Sequence, residues 1–187
     1  MRIIAGKYRG RKLKSPPSLE TRPTSDRLRE TLFNILAPRI EGVRFLDLCA
    51  GSGAVGLEAL SRGAEHVTFV DHSRKMLALI ETNVAALKVD QAEFEIFVAE
   101  AGEFLRRHVK KDAIPFDVIF FDPPYAMDYE TVLEFIGEKA EQVLTGDGLV
   151  VVEHRKKREL QDDFGRWRRY RIVKHGESAL SFYQNES

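Results

Sequence analysis

Short apolar runs recur along most of this chain, and between them apolar positions return every three or four residues. Residues 43–48 form the first run, followed by helical spacing over 54–60. His66 to Asp71 (HVTFVD) predicts a second strand, and Ser73 can cap a helix whose inner side is Met76, Leu77, Ile80, Val84 and Leu87. Phe94 to Val98 predicts a third strand, with a short helix over 103–108 behind it. Phe116 to Phe121 (FDVIFF) is nearly continuous in apolar residues, as expected for a strand covered on both faces. A helix with Val132, Leu133, Ile136, Ala140 and Val143 on one side leads to a fifth strand over 149–153. This alternation predicts right-handed crossovers and a doubly wound parallel α/β sheet. The ending breaks the rule. Residues 167–173 and 179–183 read as strands joined through His175-Gly176 without a helix, so they should pair antiparallel at the sheet edge.

The beginning follows another pattern. Residues 2–14 alternate loosely and contain Gly6 and Gly10, which suits a small hairpin or ribbon. Pro16, Pro17 and Pro23 keep the next stretch extended. A helix capped by Thr24 or Ser25 then carries Leu28, Leu32, Phe33, Ile35 and Leu36 on one side, with Arg27, Arg29 and Glu30 nearer its edges, and Pro38 ends it. Residues 1–40 therefore read as an extension docked on a main domain spanning 41–187.

Composition narrows the class. Hydrophobic residues make up 43% of 187, enough for a substantial core. No apolar run approaches the ~20 residues that span a bilayer. The opening turns basic too soon for a signal peptide, so a cytoplasmic protein is expected. Cys49 is the one cysteine, which excludes an internal disulfide, and the histidines show no metal spacing. A net charge of zero conceals segregation. Residues 1–14 hold Arg2, Lys7, Arg9, Arg11, Lys12 and Lys14 with no acid, and residues 155–174 hold nine basic residues against three acids. Such runs can give a neutral molecule a basic face suited to phosphate backbones.

The chemistry centres on Asp47-Leu48-Cys49-Ala50-Gly51-Ser52-Gly53-Ala54-Val55-Gly56, where a strand meets a helix through a glycine turn. Backbone N–H groups at such a turn favour a bound anion. Acidic residues at or just past strand ends, namely Asp47, Asp71, Glu100 and Asp122, face the usual ligand crevice of an open α/β sheet. Asp71 lies 20 residues after Gly51, where a carboxylate can grip ribose hydroxyls, and Gly51-x-Gly53-x-x-Gly56 also fits a dinucleotide fingerprint. Three features weigh against a nicotinamide enzyme. Asp47 would repel a pyrophosphate but attract the ammonium or sulfonium of S-adenosylmethionine. The antiparallel ending is usual in methyltransferase sheets. Asp122-Pro123-Pro124-Tyr125 directly follows the fourth strand.

That tetrapeptide resembles the catalytic motif of Rossmann-like amino-methyltransferases, (Asp/Asn)-Pro-Pro-(Tyr/Phe/Trp). An exocyclic amine on a nucleobase is a poor nucleophile because its lone pair is delocalised. The Asp122 carboxylate and Pro123 carbonyl can each accept an amine hydrogen and aim the nitrogen at a methyl group. Paired prolines fix the carbonyl direction in advance, and Tyr125 can stack on an extruded base. The resemblance implies that Asp47 lies near the methionine ammonium, with Gly51 and Gly53 forming the cradle. It places Asp71 on the ribose, and Glu100 with Ala101 near the adenine. The motif leaves adenine-N6, guanine-N2, cytosine-N4 and glutamine side chains open.

The opening Arg2-Ile3-Ile4-Ala5-Gly6-Lys7-Tyr8-Arg9-Gly10-Arg11, the segment from Thr21 to Glu30 and the ending Gly176 to Tyr183 resemble the RsmD family, bacterial 16S ribosomal RNA guanine-N2 methyltransferases. The likeness implies a class I S-adenosylmethionine-dependent methyltransferase with a mostly parallel seven-stranded sheet, an antiparallel C-terminal edge strand and a small N-terminal extension. It implies one methyl transfer to N2 of a guanine in 16S rRNA, on a largely assembled 30S subunit; domain size and the lack of a long exposed apolar stripe make a monomer the expectation, and the histidine spacing suggests no metal. Lys7, Arg9, Arg11, Arg22 and Arg27 would contact the RNA, Arg22 serving equally well as a structural tie. The alternatives are an adenine-N6 methyltransferase, a nicotinamide-dependent oxidoreductase, and a non-catalytic RNA-binding assembly factor.

Overall fold

The protein is described from a computed structural model, which defines residues 1–16, 25–124 and 127–185. Parallel strands β1 (Arg44–Leu48), β2 (His66–Asp71), β3 (Phe94–Val98), β4 (Phe116–Phe121) and β5 (Leu144–Arg155) alternate with helices α2 (Ala54–Ser61), α3 (Arg74–Leu87), α4 (Ala101–Lys110), α5 (Tyr129–Glu138) and α6 (Ala140–Val143). Helix α1 (Asp26–Leu36) precedes them, and β6 (Asp163–Phe164), β7 (Trp167–His175) and β8 (Ser178–Asn185) follow. The strands form one sheet in the order β3-β2-β1-β4-β5-β8-β7-β6. Eight strands are present rather than seven, because Asp163–Phe164 adds a two-residue strand too short to show in the pattern. The C-terminal strand β8 is antiparallel to β5 and sits one place inside β7, so β7 and β6 make up that margin.

Side chains alternate across the sheet and build two cores. One layer joins Phe45, Phe69, Phe120, Val151 and Phe182 to α1, α2 and α3. The other joins Leu48, Val70, Phe121 and Val152 to α4, α5 and α6. Local signals start the helices as expected: Ser25 Oγ accepts Leu28 N–H at 3.2 Å, and Ser73 Oγ accepts Met76 N–H at 3.4 Å. The expected single helix through 132–143 is broken at Lys139, which leaves helical geometry between α5 and α6.

Helix α2 is buried on every side because the sheet covers one face and the N-terminal ribbon the other. The ribbon is closed by a single antiparallel bridge between Arg2 and Lys12. Ile4 N–H and Ala5 N–H donate to the Glu58 carboxylate at 2.8 and 3.0 Å, and Lys7 N–H donates to Ser61 O at 2.7 Å. Arg29, expected at a helix edge, is instead fully buried. Its guanidinium donates to Arg2 O at 2.6 Å and stands 3.6 Å from Glu58, because the ribbon covers what would otherwise be a solvated face. Asn83 of α3 joins the ribbon to the glycine turn, accepting from Lys14 N–H at 2.8 Å and donating to Ser52 O at 3.3 Å. Among the described residues no helix is long and apolar enough to cross a membrane.

Candidate active site

The carboxyl ends of β2, β1 and β4 draw level, because Leu48 pairs with both Val70 and Phe121; β5 lies alongside, Phe121 pairing with Val152, and runs on to Arg155. The next position on each strand is Asp71, Cys49, Asp122 and Glu153. Asp122 still follows the ladder, since its N–H donates to Leu48 O at 3.3 Å. Asp71, Asp122 and Glu153 therefore form a row, and Asp47 lies one pleat deeper on β1. All four follow the alternation that puts Phe69, Phe120 and Val151 in the α1–α3 layer.

Burial and neighbouring carboxylates act together on two of these groups, Asp47 and Asp122. Burial pushes the Asp47 carboxyl up to about 8, with Asp71 adding to the rise and the Gly56 N–H, at 2.8 Å, opposing it. Burial also lifts Asp122 well above the usual carboxylate range, and Glu153 and Asp47 lift it further. Cys49 sits among Asp71, Asp122, Asp47 and Glu100; burial first, and then those charges, hold its thiol well above its ordinary value. A nucleophilic thiolate is thereby suppressed. Among the described residues no ion pair reaches Asp47 or Asp122. Such a pocket is complementary to a cation.

The glycine turn supplies the other half. Gly51 and Gly53 take positive φ of 54° and 74°, and Gly53 is the N-cap of α2. A side chain at Gly51 would meet open space, which leaves the turn accessible to a ligand. Gly56 serves packing instead, because a Cβ there would lie 2.3 Å from the Phe69 ring and push α2 off the sheet. Asp71 accepts Gly51 N–H and Ser73 N–H, each at 2.8 Å, so it braces the turn with one lone pair on each oxygen and keeps others toward the crevice. Glu100 is exposed at the N-cap of α4 and makes no capping bond, while Ala101 beside it is buried. An adenosyl ligand bearing an ammonium and a sulfonium fits this donor set.

After β4, Asp122 is half-buried at the mouth and Pro123 is buried. The Pro123 carbonyl accepts the Tyr129 hydroxyl at 3.3 Å, and Tyr129 is held under the Arg158 guanidinium 3.9 Å from its ring. Tyr125 and Arg22 lie outside the described residues. Of the basic residues singled out from sequence, Arg9 and Arg27 line one cleft of about 540 Å³ with Arg2. Lys7 pairs with Glu93 at 2.6 Å, and Arg11 donates to Ala86 O at 2.9 Å, so both tether the ribbon to α3 and the turn after it. Two site residues escaped the sequence reading. Glu153 closes the run LVVVE and carries the same strand-end signal as Asp71. Tyr129 carries no signal, because its link to Pro123 depends on how α5 packs.

A profile described as Conserved hypothetical protein 95 matches residues 1–184. The Escherichia coli K12 protein named Ribosomal RNA small subunit methyltransferase D is 37% identical over 188 residues, covering 100% of this chain and 91% of that protein. The Escherichia coli protein yhhF, solved as a candidate methyltransferase, superposes with a TM-score of 0.86 at 34% identity, covering 100% and 98% of the two chains. A more distant fold neighbour, SMU.776, was solved with S-adenosylhomocysteine; it matches at TM-score 0.69 and 15% identity over 83% of this chain and 49% of that one. With the carboxylate row and the motif after β4 in place, the chain belongs to the RsmD family and has the Rossmann-like fold of S-adenosylmethionine-dependent methyltransferases.

Proposed function

We propose that this protein transfers a methyl group from S-adenosylmethionine to the exocyclic N2 of one guanine in 16S rRNA, on an assembled or nearly assembled 30S particle. The observation that carries the reading is Asp122-Pro123 at the mouth of a carboxylate pocket in which, among the described residues, Asp47 and Asp122 make no ion pair, in a chain whose relatives are named for small-subunit rRNA methylation. The cofactor supplies an electrophilic methyl on a sulfonium. Everything else falls to the chain. Asp47 holds the ligand ammonium, the Gly51–Gly53 turn admits its carboxylate, Asp71 holds the ribose, and Glu100 with Ala101 borders the adenine.

Asp122 is raised by burial and then by Glu153 and Asp47 in the ligand-free protein, and a nearby cation restores its ionised, accepting form. It then takes one amine hydrogen and the Pro123 carbonyl the other, through the lone pair that Tyr129 leaves free. The nitrogen lone pair faces the methyl, and the proton lost as the C–N bond forms passes to Asp122 or to water. Tyr125 stacks on the extruded base. The ribbon, pinned to the glycine turn through Asn83, presents Arg9 and Arg27 beside Arg2 to RNA phosphates, in a cleft that Asp26 and Glu30 also line. Lys7, Arg11 and Arg22 extend that contact, the first two while also holding the ribbon down.

Small subunits from cells lacking this protein, incubated with it and labelled cofactor, should yield N2-methylguanosine at one site on digestion and mass spectrometry. Asp122→Ala should lower the rate at least ~100-fold while S-adenosylhomocysteine binding persists. Label at adenine N6 would replace the guanine assignment, and no transfer at all would leave an RNA-binding assembly role.

A further inference from the structure

We infer that the turn after β5 is a second phosphate-binding edge: Lys156 and Lys157 grip the RNA backbone on the side of the active-site mouth away from the N-terminal ribbon. The inference rests on the RNA-methylation reading above and adds a contact surface to it.

Position carries the first part of the argument. In the sheet β4 lies between β1, whose glycine turn is tied to the ribbon, and β5. Phe121 pairs with Val152, which sets Asp122 level with Glu153, and β5 runs on to Arg155. At ~3.3 Å per residue the strand rises ~7 Å beyond the level of Asp122 before it turns. The turn is held there. Lys156 N–H donates to Glu177 O at 2.8 Å, which fastens it to the β7–β8 hairpin, and Arg158 N–H donates to Arg155 O at 2.9 Å, which closes it. The Arg158 guanidinium lies over the Tyr129 ring, whose hydroxyl donates to the Pro123 carbonyl. One side chain therefore links the turn to the motif after β4.

Charge carries the second part. Lys156 and Lys157 are exposed, and among the described residues neither forms an ion pair. Arg158 beside them is engaged by Glu130 at 2.9 Å. The run Arg155-Lys156-Lys157-Arg158, with Lys174 entering the hairpin, outnumbers the acids of the same turns, Glu159 and Glu177. The N-terminal cations differ, because Lys7 and Arg11 are engaged in holding the ribbon down. A paired lysine must give up its partner to bind a phosphate, whereas Lys156 and Lys157 give up only water.

The geometry of the substrate carries the third. A nucleotide swung out of its strand leaves backbone phosphates on both sides of it, and contacts to phosphates set register and orientation without reading sequence. The ribbon packs on α2 and α3, on the β1–β2 side of Asp122, and the turn stands on the β5 side. Cations on one side alone would hold the strand at one end and let the extruded nucleotide pivot. The turn supplies the second hold.

The test measures binding of the full-length protein to small subunits lacking the modification, with S-adenosylhomocysteine present, over a range of salt. Replacing both lysines (Lys156→Ala with Lys157→Ala) should weaken binding on the order of tenfold and flatten log affinity against log salt by ~0.7–0.9 for each lysine. KM for the subunits should rise by a similar factor while kcat changes less than ~2-fold, the mark of binding that is uniform along the reaction. Lys156→Arg with Lys157→Arg keeps both charges and should keep the wild-type slope. The control pair, Lys110→Ala with Lys111→Ala, removes the same charge from the exposed end of α4, at the opposite end of the sheet, and should leave the slope unchanged. A wild-type slope in the Lys156 and Lys157 alanine variant overturns the inference. So does an equal drop in the control pair, which would make net charge the whole effect. A parallel loss of S-adenosylhomocysteine affinity overturns it too, since the turn would then only support the pocket. Failure of the methylation reading shows separately, as wild-type protein that transfers no methyl group to the subunits.

Discussion

Helix α2 has a buried carboxylate on either side of it, and the two are treated in opposite ways. On one side Glu58 is wholly enclosed, yet it accepts Ile4 N–H, Ala5 N–H and the Arg62 Nε–H, with the Arg29 guanidinium 3.6 Å away. On the other side Asp47 accepts one N–H from Gly56 and otherwise faces Asp71 and, farther along, Asp122. The first is a closed set of opposite charges that fastens the ribbon to the domain. The second is an open set of carboxyl groups in which, among the described residues, Asp47 and Asp122 make no ion pair. A buried charge that the fold satisfies is part of the architecture, and one it leaves unsatisfied marks a binding site.

The largest test breaks the closed set. Glu58→Ala removes one of the two carboxylates beside the buried Arg29, the other being Asp26 at 3.0 Å, and strands two backbone N–H groups, so urea unfolding should show a loss of ~3–5 kcal/mol. A loss below ~1 kcal/mol would mean the ribbon adds little to the domain, contrary to the packing described.

The second test titrates the open set. Asp47 has its folded value raised from 3.8 to about 8, so the folded protein binds the extra proton. Its contribution to stability is complete below the unfolded value and is lost as pH rises through about 8. The Tm of the ligand-free protein should therefore fall between pH 6 and 8. A ligand ammonium favours the ionised form, so affinity for S-adenosylhomocysteine should rise over the same interval, by up to ~10-fold per pH unit, with proton release measurable by calorimetry in buffers of different ionisation enthalpy. An affinity flat across that interval would remove Asp47 from the ammonium.

The smallest effect concerns Tyr129. Tyr129→Phe deletes the hydroxyl that orients the Pro123 carbonyl, at a cost of ~1 kcal/mol or about fivefold in kcat, with cofactor affinity unchanged. Equal losses in kcat and cofactor binding would point instead to collapse of the pocket wall.

Much of this was legible in the chain. Strands covered on both faces announce themselves as apolar runs, and β2 and β4 fall where the pattern puts them, as does the edge strand β3, whose Phe97 and Val98 are exposed. Strand β5 begins earlier than expected, because Thr145-Gly146-Asp147-Gly148 reads as a turn but continues from Leu144, which pairs with Phe116. Arg29 was misplaced because helical periodicity shows which side of α1 is apolar and says nothing about a ribbon closing over the other. The carboxylates at 47, 71 and 122 were legible because strand ends are where an open α/β sheet meets its ligand. The rise of Asp47 and Asp122 was not, since it depends on their burial and on the register that brings β1, β4 and β5 side by side.

The place of β8 between β5 and β7 also bears on how the polypeptide is made. Strands β6 and β7 leave the ribosome before β8, yet they reach the rest of the sheet only through it. Until residues 178–185 emerge, Val150 to Val152 present an unclaimed backbone edge open to foreign partners. Deleting that segment would not trim a margin; it would cut the sheet in two.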